Sequence, residues 1–169
     1  GAAYTELLIL EREKAAVMSD PNVQPELYGY DYILERQLKP EARKDIVARL
    51  KELEIKPTAM IDISDGLASE ILHLCKDSKV GCRIFEDRIP MHQKAIDVAK
   101  EFDIVPCVAA LNGGEDYELL FTVKQEDYEK VKDMEDVRII GFMTAEENVA
   151  ELITTDEHVI PIEAQGFKH

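Results

Sequence analysis

Between Pro57 and Gly81 the chain reads as a strand, a turn and a helix in immediate succession, and this unit constrains the fold more than any other stretch. Ala59-Met60-Ile61-Asp62-Ile63 is short and almost wholly apolar, the pattern of a strand covered on both faces. Ser64-Asp65-Gly66 follows. Leu67, Ile71, Leu74 and Cys75 then recur at helical spacing, with Ser64 or Asp65 placed to cap the helix and Gly81 beyond its end. A strand that feeds a helix directly shares one core with it, so a layered α/β domain is expected.

The flanking patterns extend that reading. Gly1 to Ser19 reads as a helix with Ala3, Leu7, Leu10 and Val17 near one face, and no start signal stands in front of it. Asp20 to Tyr32 holds Pro21, Pro25, Gly29 and three tyrosines, a turn-rich connection suited to a linker or surface loop. Pro40 is placed to open a helix whose packing face is Ala42, Ile46, Leu50 and Leu53. Cys82 to Phe85, Leu119 to Val123, Val137 to Phe142, Ala150 to Thr154 and Val159 to Ile162 read as strands, the last two joined by a polar turn at 155–158. Gln93 to Phe102 reads as a helix with Ala95, Val98, Ala99 and Phe102 inward, and a further helix is expected from Glu126 to Met134. There is no internal repeat, low-complexity tract or heptad pattern.

With 169 residues, 46% of them apolar, the chain has material for one well-formed core and an N-terminal arm. Thirty-five acidic residues against 20 basic ones give a formal charge of −15. That balance argues against nucleic acid or an anionic membrane as a partner, since both require clustered Lys and Arg. Cys75, Cys82 and Cys107 are odd in number, lack CxxC spacing and stand among apolar neighbours, so buried thiols in a reducing compartment are expected. No apolar stretch approaches the roughly 20 residues of a membrane span, and no basic-then-apolar leader opens the sequence, which together read as cytoplasmic.

Two clusters are equipped for chemistry. Asp62 and Asp65 stand three residues apart where the strand gives way to the helix. Carboxylates at about 5 Å and an effective dielectric near 20 repel by roughly 3 kcal/mol, a cost that a cation turns into binding. Carboxylates ligate Mg²⁺, and free N–H groups at a helix start accept phosphate oxygens. Simple capping accounts for one acid and leaves Asp62, at the end of an apolar strand, without an explanation. The alternating oxygen ligands of an EF-hand are absent. The second cluster is Asn112-Gly113-Gly114-Glu115-Asp116-Tyr117-Glu118, just before a strand, where paired glycines permit positive φ or a close approach and where a plain Gly-Gly turn is the alternative. No Walker sequence, no GxGxxG and no GxSxG elbow occurs, so neither a P-loop nor a Ser64 nucleophile is supported. His73, His92 and His158 show no metal-ligand spacing, and Lys39, Arg43 and Lys44 read as a solvated helix face.

Taken together, Ile61-Asp62-Ile63-Ser64-Asp65-Gly66-Leu67 and Asn112-Gly113-Gly114-Glu115-Asp116-Tyr117-Glu118-Leu119 resemble the thiamine-monophosphate kinase family, from Glu35-Arg36-Gln37-Leu38-Lys39-Pro40 through Gly166-Phe167. The resemblance is to its C-terminal domain, within a superfamily that also holds aminoimidazole ribonucleotide synthetase and selenophosphate synthetase. It implies an α/β (α+β) fold: a layered domain with a mixed β-sheet flanked by helices, partly ferredoxin-like, preceded by an N-terminal helical arm. Residues 1–32 would be inter-domain helix and linker, 33–169 the C-terminal kinase domain, and an N-terminal domain bearing most metal-binding acids would be absent. The implied reaction is ATP-dependent phosphorylation of thiamine monophosphate to thiamine diphosphate, with Asp62 and Asp65 as Mg²⁺ ligands, Ser64 as an ATP contact, and Glu115 and Phe167 as substrate contacts. Lys168 stands where the family usually carries an acid. A homodimer is implied for the full-length protein and inactivity for the piece alone; the alternatives are another ATP-using member of the superfamily and a non-enzymatic acidic cation-binding or interaction module.

Overall fold

The structure, a computed structural model, describes residues 2–20, 22–39 and 41–164, with the backbone alone at 36–38. Among the described residues six strands form two sheets. β2 (Gly81–Phe85) pairs antiparallel with β4 (Gly141–Thr144) and parallel with β5 (Ala150–Ile153), and β5 pairs antiparallel with β6 (Val159–Pro161), giving a mixed sheet of order β4-β2-β5-β6. β1 (Ala59–Asp62) pairs antiparallel with β3 (Leu119–Thr122), which sets Asp62 opposite Leu119.

Helices cover these ladders by their apolar stripes. α4 (Leu67–Ser78) lays Leu67, Ala68, Ile71 and Cys75 against Cys82, Ile84, Ala150 and Leu152 of the four-stranded sheet. Complete burial of such aliphatic side chains contributes about 1.5–3 kcal/mol each. α3 (Lys44–Glu52) and α7 (Tyr128–Lys132) enclose a second core, where Ile46, Leu50, Ile55, Val131 and Met134 meet Leu119 and Phe121 of the β1–β3 ladder. A third cluster joins α1 (Ala2–Ser19), α2 (Asp31–Leu38) and α5 (Gln93–Glu101) through Ile9, Ile33 and Val98. The expected mixed α/β layering is therefore present, and the three cysteines are buried and unbridged as expected.

Several elements differ from the sequence reading. The buried face of α1 is Ala3, Thr5, Glu6, Ile9 and Glu13, whereas Leu7 is 45% exposed. The helix is rotated because Glu13 is held inward, accepting from the Glu26 N–H at 2.7 Å and pairing with Arg12. α2 begins inside the segment read as a linker, seated by the fully buried Ile33. The helix expected from Pro40 starts at Lys44 instead, while Pro40 itself lies outside the described residues. α6 (Pro106–Asn112) has no counterpart among the expected elements, and the helix expected over 126–134 is a 3₁₀ turn followed by the five residues of α7. The strand expected from Val137 begins at Gly141, because Val137 and Ile139 are drawn into the core under α3 and α7 before pairing with β2 starts.

Candidate functional site

The two acidic clusters meet. β1–β3 pairing places Asp62 beside Leu119, and the ladder continues past its end as a seam between the turn 63–66 and the loop 113–118. The Ile63 N–H donates to the Glu118 carbonyl at 2.8 Å, the Tyr117 N–H to the Ile63 carbonyl at 2.9 Å, and the Glu115 N–H to the Ser64 carbonyl at 2.7 Å. Glycines make this approach possible. A Cβ on Gly114 would collide with the Ser64 carbonyl oxygen, and one on Gly66, whose φ is +126°, would lie 2.9 Å from the Leu111 carbonyl oxygen. The Gly113-Gly114 pair thus serves close approach, while the positive φ values in that loop fall on Glu115 (63°) and Tyr117 (52°), each at about 1–2 kcal/mol for a non-glycine residue.

Asp62 and Asp65 both carry exposed side chains, and neither is tied to another described residue by an ion pair or side-chain hydrogen bond. Ser64 is half-buried and Glu115 is exposed on the facing loop. Neither Ser64 nor Asp65 caps α4: the capping position is Gly66, which has no side-chain oxygen to offer. The polar group at this helix start is the carboxylate of Glu70, which accepts from the Asp65 N–H at 2.9 Å and from the Ser64 N–H and hydroxyl at 3.3 Å each. Phe167 lies outside the described residues.

Arg43 corrects another expectation. It is no part of a solvated face: its guanidinium takes Asp45 at 2.9 Å and Glu118 of the second cluster at 2.6 Å, with only 21% of its side chain exposed. These contacts, Asp45 first, hold the Arg43 charge more firmly than usual, and Arg43 in turn holds the Asp45 carboxyl below its ordinary range. Asp116 reaches the other way. Its Oδ1 accepts from the Ala2 and Ala3 N–H groups at 3.0 and 3.3 Å, satisfying donors at the start of α1. No local pattern announces these long-range ties, although the acid-rich sequence after Gly114 marked the loop that makes them.

A cavity of about 1160 Å³ adjoins the seam, lined by Ile71, Ile84, Leu120, Phe121 and Ile139 and, toward the seam, by Arg43, Ile63, Asp116 and Glu118. Asp62 and Asp65 do not line it. Size alone would favour this space as a binding site; much of its wall is apolar side chains of the two ladders, and the two acids of the turn stand outside it. The seam presents open acids beside a helix start and has the better chemistry.

Among the described residues no three His, Cys, Asp or Glu side chains converge as a self-sufficient metal cage would require. Mg²⁺ does not ask for one, since it is commonly held by one or two carboxylates with water and substrate phosphates completing the octahedron. Two unengaged carboxylates at the edge of a fixed turn fit that donor set.

The fold and this seam define a domain whose family is shown directly: residues 24–153 match the model of the AIR synthase related protein, C-terminal domain, and the chain belongs to that family. Within it, the chain is similar to thiamine-monophosphate kinase. It is 31% identical over 161 residues to that enzyme of Bacillus subtilis, covering 90% of this chain and 47% of the relative, and 33% identical over 144 residues to that of Buchnera aphidicola subsp. Schizaphis graminum, covering 82% and 43%. The solved structure of AaThiL complexed with AMPPCP and TMP superposes with a TM-score of 0.68 at 27% identity, over 94% of this chain and 45% of that one. The chain thus spans less than half the length of these relatives. Among the described residues no helix is long and apolar enough to cross a membrane.

Proposed function

We propose that this chain is the C-terminal part of an ATP-dependent kinase that phosphorylates thiamine monophosphate to thiamine diphosphate. Residues 1–32 serve as inter-domain helix and linker, and 33–169 as the C-terminal domain of a cytoplasmic, homodimeric enzyme whose N-terminal half supplies further acids. The observation that carries this reading is the pair of unengaged carboxylates, Asp62 and Asp65, on a turn fixed by hydrogen bonds on both sides. The similarity to thiamine-monophosphate kinases, and to a relative solved with an ATP analogue and TMP, supplies the substrates.

The division of labour follows from charge. The acceptor is a phosphate monoester with a second pKa of about 6, so its attacking oxygen is largely deprotonated near neutrality and needs no strong general base. The difficulty is bringing two polyanions into line. Asp62 and Asp65 would hold Mg²⁺, which when bound supplies neutralising positive charge between the phosphates. Ser64, between them in the sequence, is assigned as an ATP contact, and Glu115, exposed across the seam, contacts the substrate. Phe167 is assigned to packing against the thiamine moiety.

The test is an assay of thiamine diphosphate formation from ATP and thiamine monophosphate by the intact protein and by residues 1–169 alone. Turnover by the intact protein and none by the piece is expected. Turnover by the isolated piece would overturn the divided site, and an intact protein inert toward thiamine monophosphate would overturn the substrate.

A further inference from the structure

Glu70 stands one turn into α4 with only 2% of its surface exposed, and nothing in the function above employs it. Its Oε1 gathers three donors, the Asp65 N–H at 2.9 Å and the Ser64 N–H and Oγ–H at 3.3 Å. Its Oε2 is buried and has no hydrogen-bond partner among the described residues. A buried carboxylate with one idle oxygen is an unfavourable group to hold, and an apolar residue at this position would pack against the same core without that penalty. What Glu70 does instead is grip the backbone of two consecutive residues in the turn that carries Asp62 and Asp65. From the opposite side the Ser64 carbonyl accepts the Glu115 N–H at 2.7 Å, so Ser64 is clamped between the helix and the facing loop.

The geometry points to Glu70 as the positioning residue of the acidic turn. Anchored in the core, it fixes residues 64 and 65 by the location of a hydrogen-bond acceptor, so that the carboxylates on either side of Ser64 stay turned to solvent and open to a divalent cation. It touches neither cation nor substrate. The cation's part in this rests on the function proposed above, whereas the anchoring of the turn does not.

Acceptor and charge separate by substitution. Glu70→Gln keeps a carbonyl oxygen where Oε1 sits and removes the charge; Glu70→Met keeps the length and removes the acceptor. Asp65→Asn tests the cation reading itself. In the intact protein, two measurements are made on each variant: hydrogen–deuterium exchange of the peptide spanning 61–67, and Mn²⁺ affinity by water-proton relaxation. Loss of buried hydrogen bonds is expected to speed exchange of the turn in Glu70→Met by about tenfold or more and to weaken Mn²⁺ binding by a similar factor, while Glu70→Gln stays within about threefold of the parent in both. Unchanged exchange in Glu70→Met overturns the proposal. So does a Glu70→Gln variant that loses Mn²⁺ as severely as Asp65→Asn, since charge and not acceptor position would then be what matters; that comparison decides the matter even where Glu70→Met does not fold. If Asp65→Asn leaves Mn²⁺ binding untouched, the cation reading fails and the exchange experiment still decides the role of Glu70.

Discussion

Asp62 occupies the last position of β1 with its side chain in solvent and no described neighbour to satisfy it, so its replacement removes no internal contact. We expect Asp62→Asn in the intact protein to lower turnover by at least about a hundredfold while the melting temperature stays within about 2 °C of the parent, since surface substitutions away from special features change stability by under about 0.5 kcal/mol. Kinetics and thermal denaturation on the same sample check both halves; an unchanged rate removes Asp62 from the site. The two exposed acids were legible in the sequence because an aspartate ending an apolar strand is out of place by composition alone. Glu70 was not legible. An acid one turn into an amphipathic helix looks like any solvated helix residue, and only the fold shows that this one is turned back toward the preceding turn and buried there.

At the scale of elements, the seam between 63–66 and 113–118 depends on Gly114 as a site without a side chain. Gly114→Ala forces its Cβ onto the Ser64 carbonyl oxygen, which is backbone and cannot swing aside. Overpacking of this kind costs about 1–3 kcal/mol, so a loss of that size in urea denaturation is expected, together with weaker Mn²⁺ binding because the turn itself is displaced. Gly114→Ala with parent stability would mean that the loops do not meet as described. The strand, turn and helix over 59–78 were readable because apolar periodicity and turn residues agree there. α6 was not, since seven residues of Pro, Cys, Val, Ala, Leu and Asn carry no contrast between faces, and Pro106 at its first turn was the one available cue. Val137 to Ile140 deceived for the opposite reason. They have strand composition, but Val137 and Ile139 serve the core under α3 and α7 while Ile140 packs on the core under α4, and register with β2 starts at Gly141.

For the molecule as a whole, the buried thiols give a test in solution. Burial, with Glu86 nearby, pushes Cys107 up to about 12, and contact with Cys75 together with burial raises Cys82 as well. A thiol whose folded value is raised contributes stability that is complete below its unfolded value of about 8.5 and is lost as pH climbs from there through the folded value. From these two thiols the melting temperature of the intact protein is therefore expected to fall as pH rises above about 8.5, and Cys82 and Cys107 are expected to resist alkylation at pH 8 until denaturant is added. Rapid labelling of Cys82 in the native state would contradict the packing of α4 on the four-stranded sheet, and rapid labelling of Cys107 the burial of α6 in the same core. At the acid end, Glu13 behaves in the opposite sense. Its bonds to the Glu26 N–H and to Arg12 hold its carboxyl below the ordinary range, so the tie is complete above that range and fades only as pH drops through the lowered value.

The carboxylate of Asp116 gives the first helix a mechanical connection to the acids. It grasps the opening amides of that helix while its neighbours on either side, Glu115 and Tyr117, are stitched to Ser64 and Ile63. The arm and the acidic turn are consequently joined through a few bonded atoms, and neither can shift without straining the seam between them.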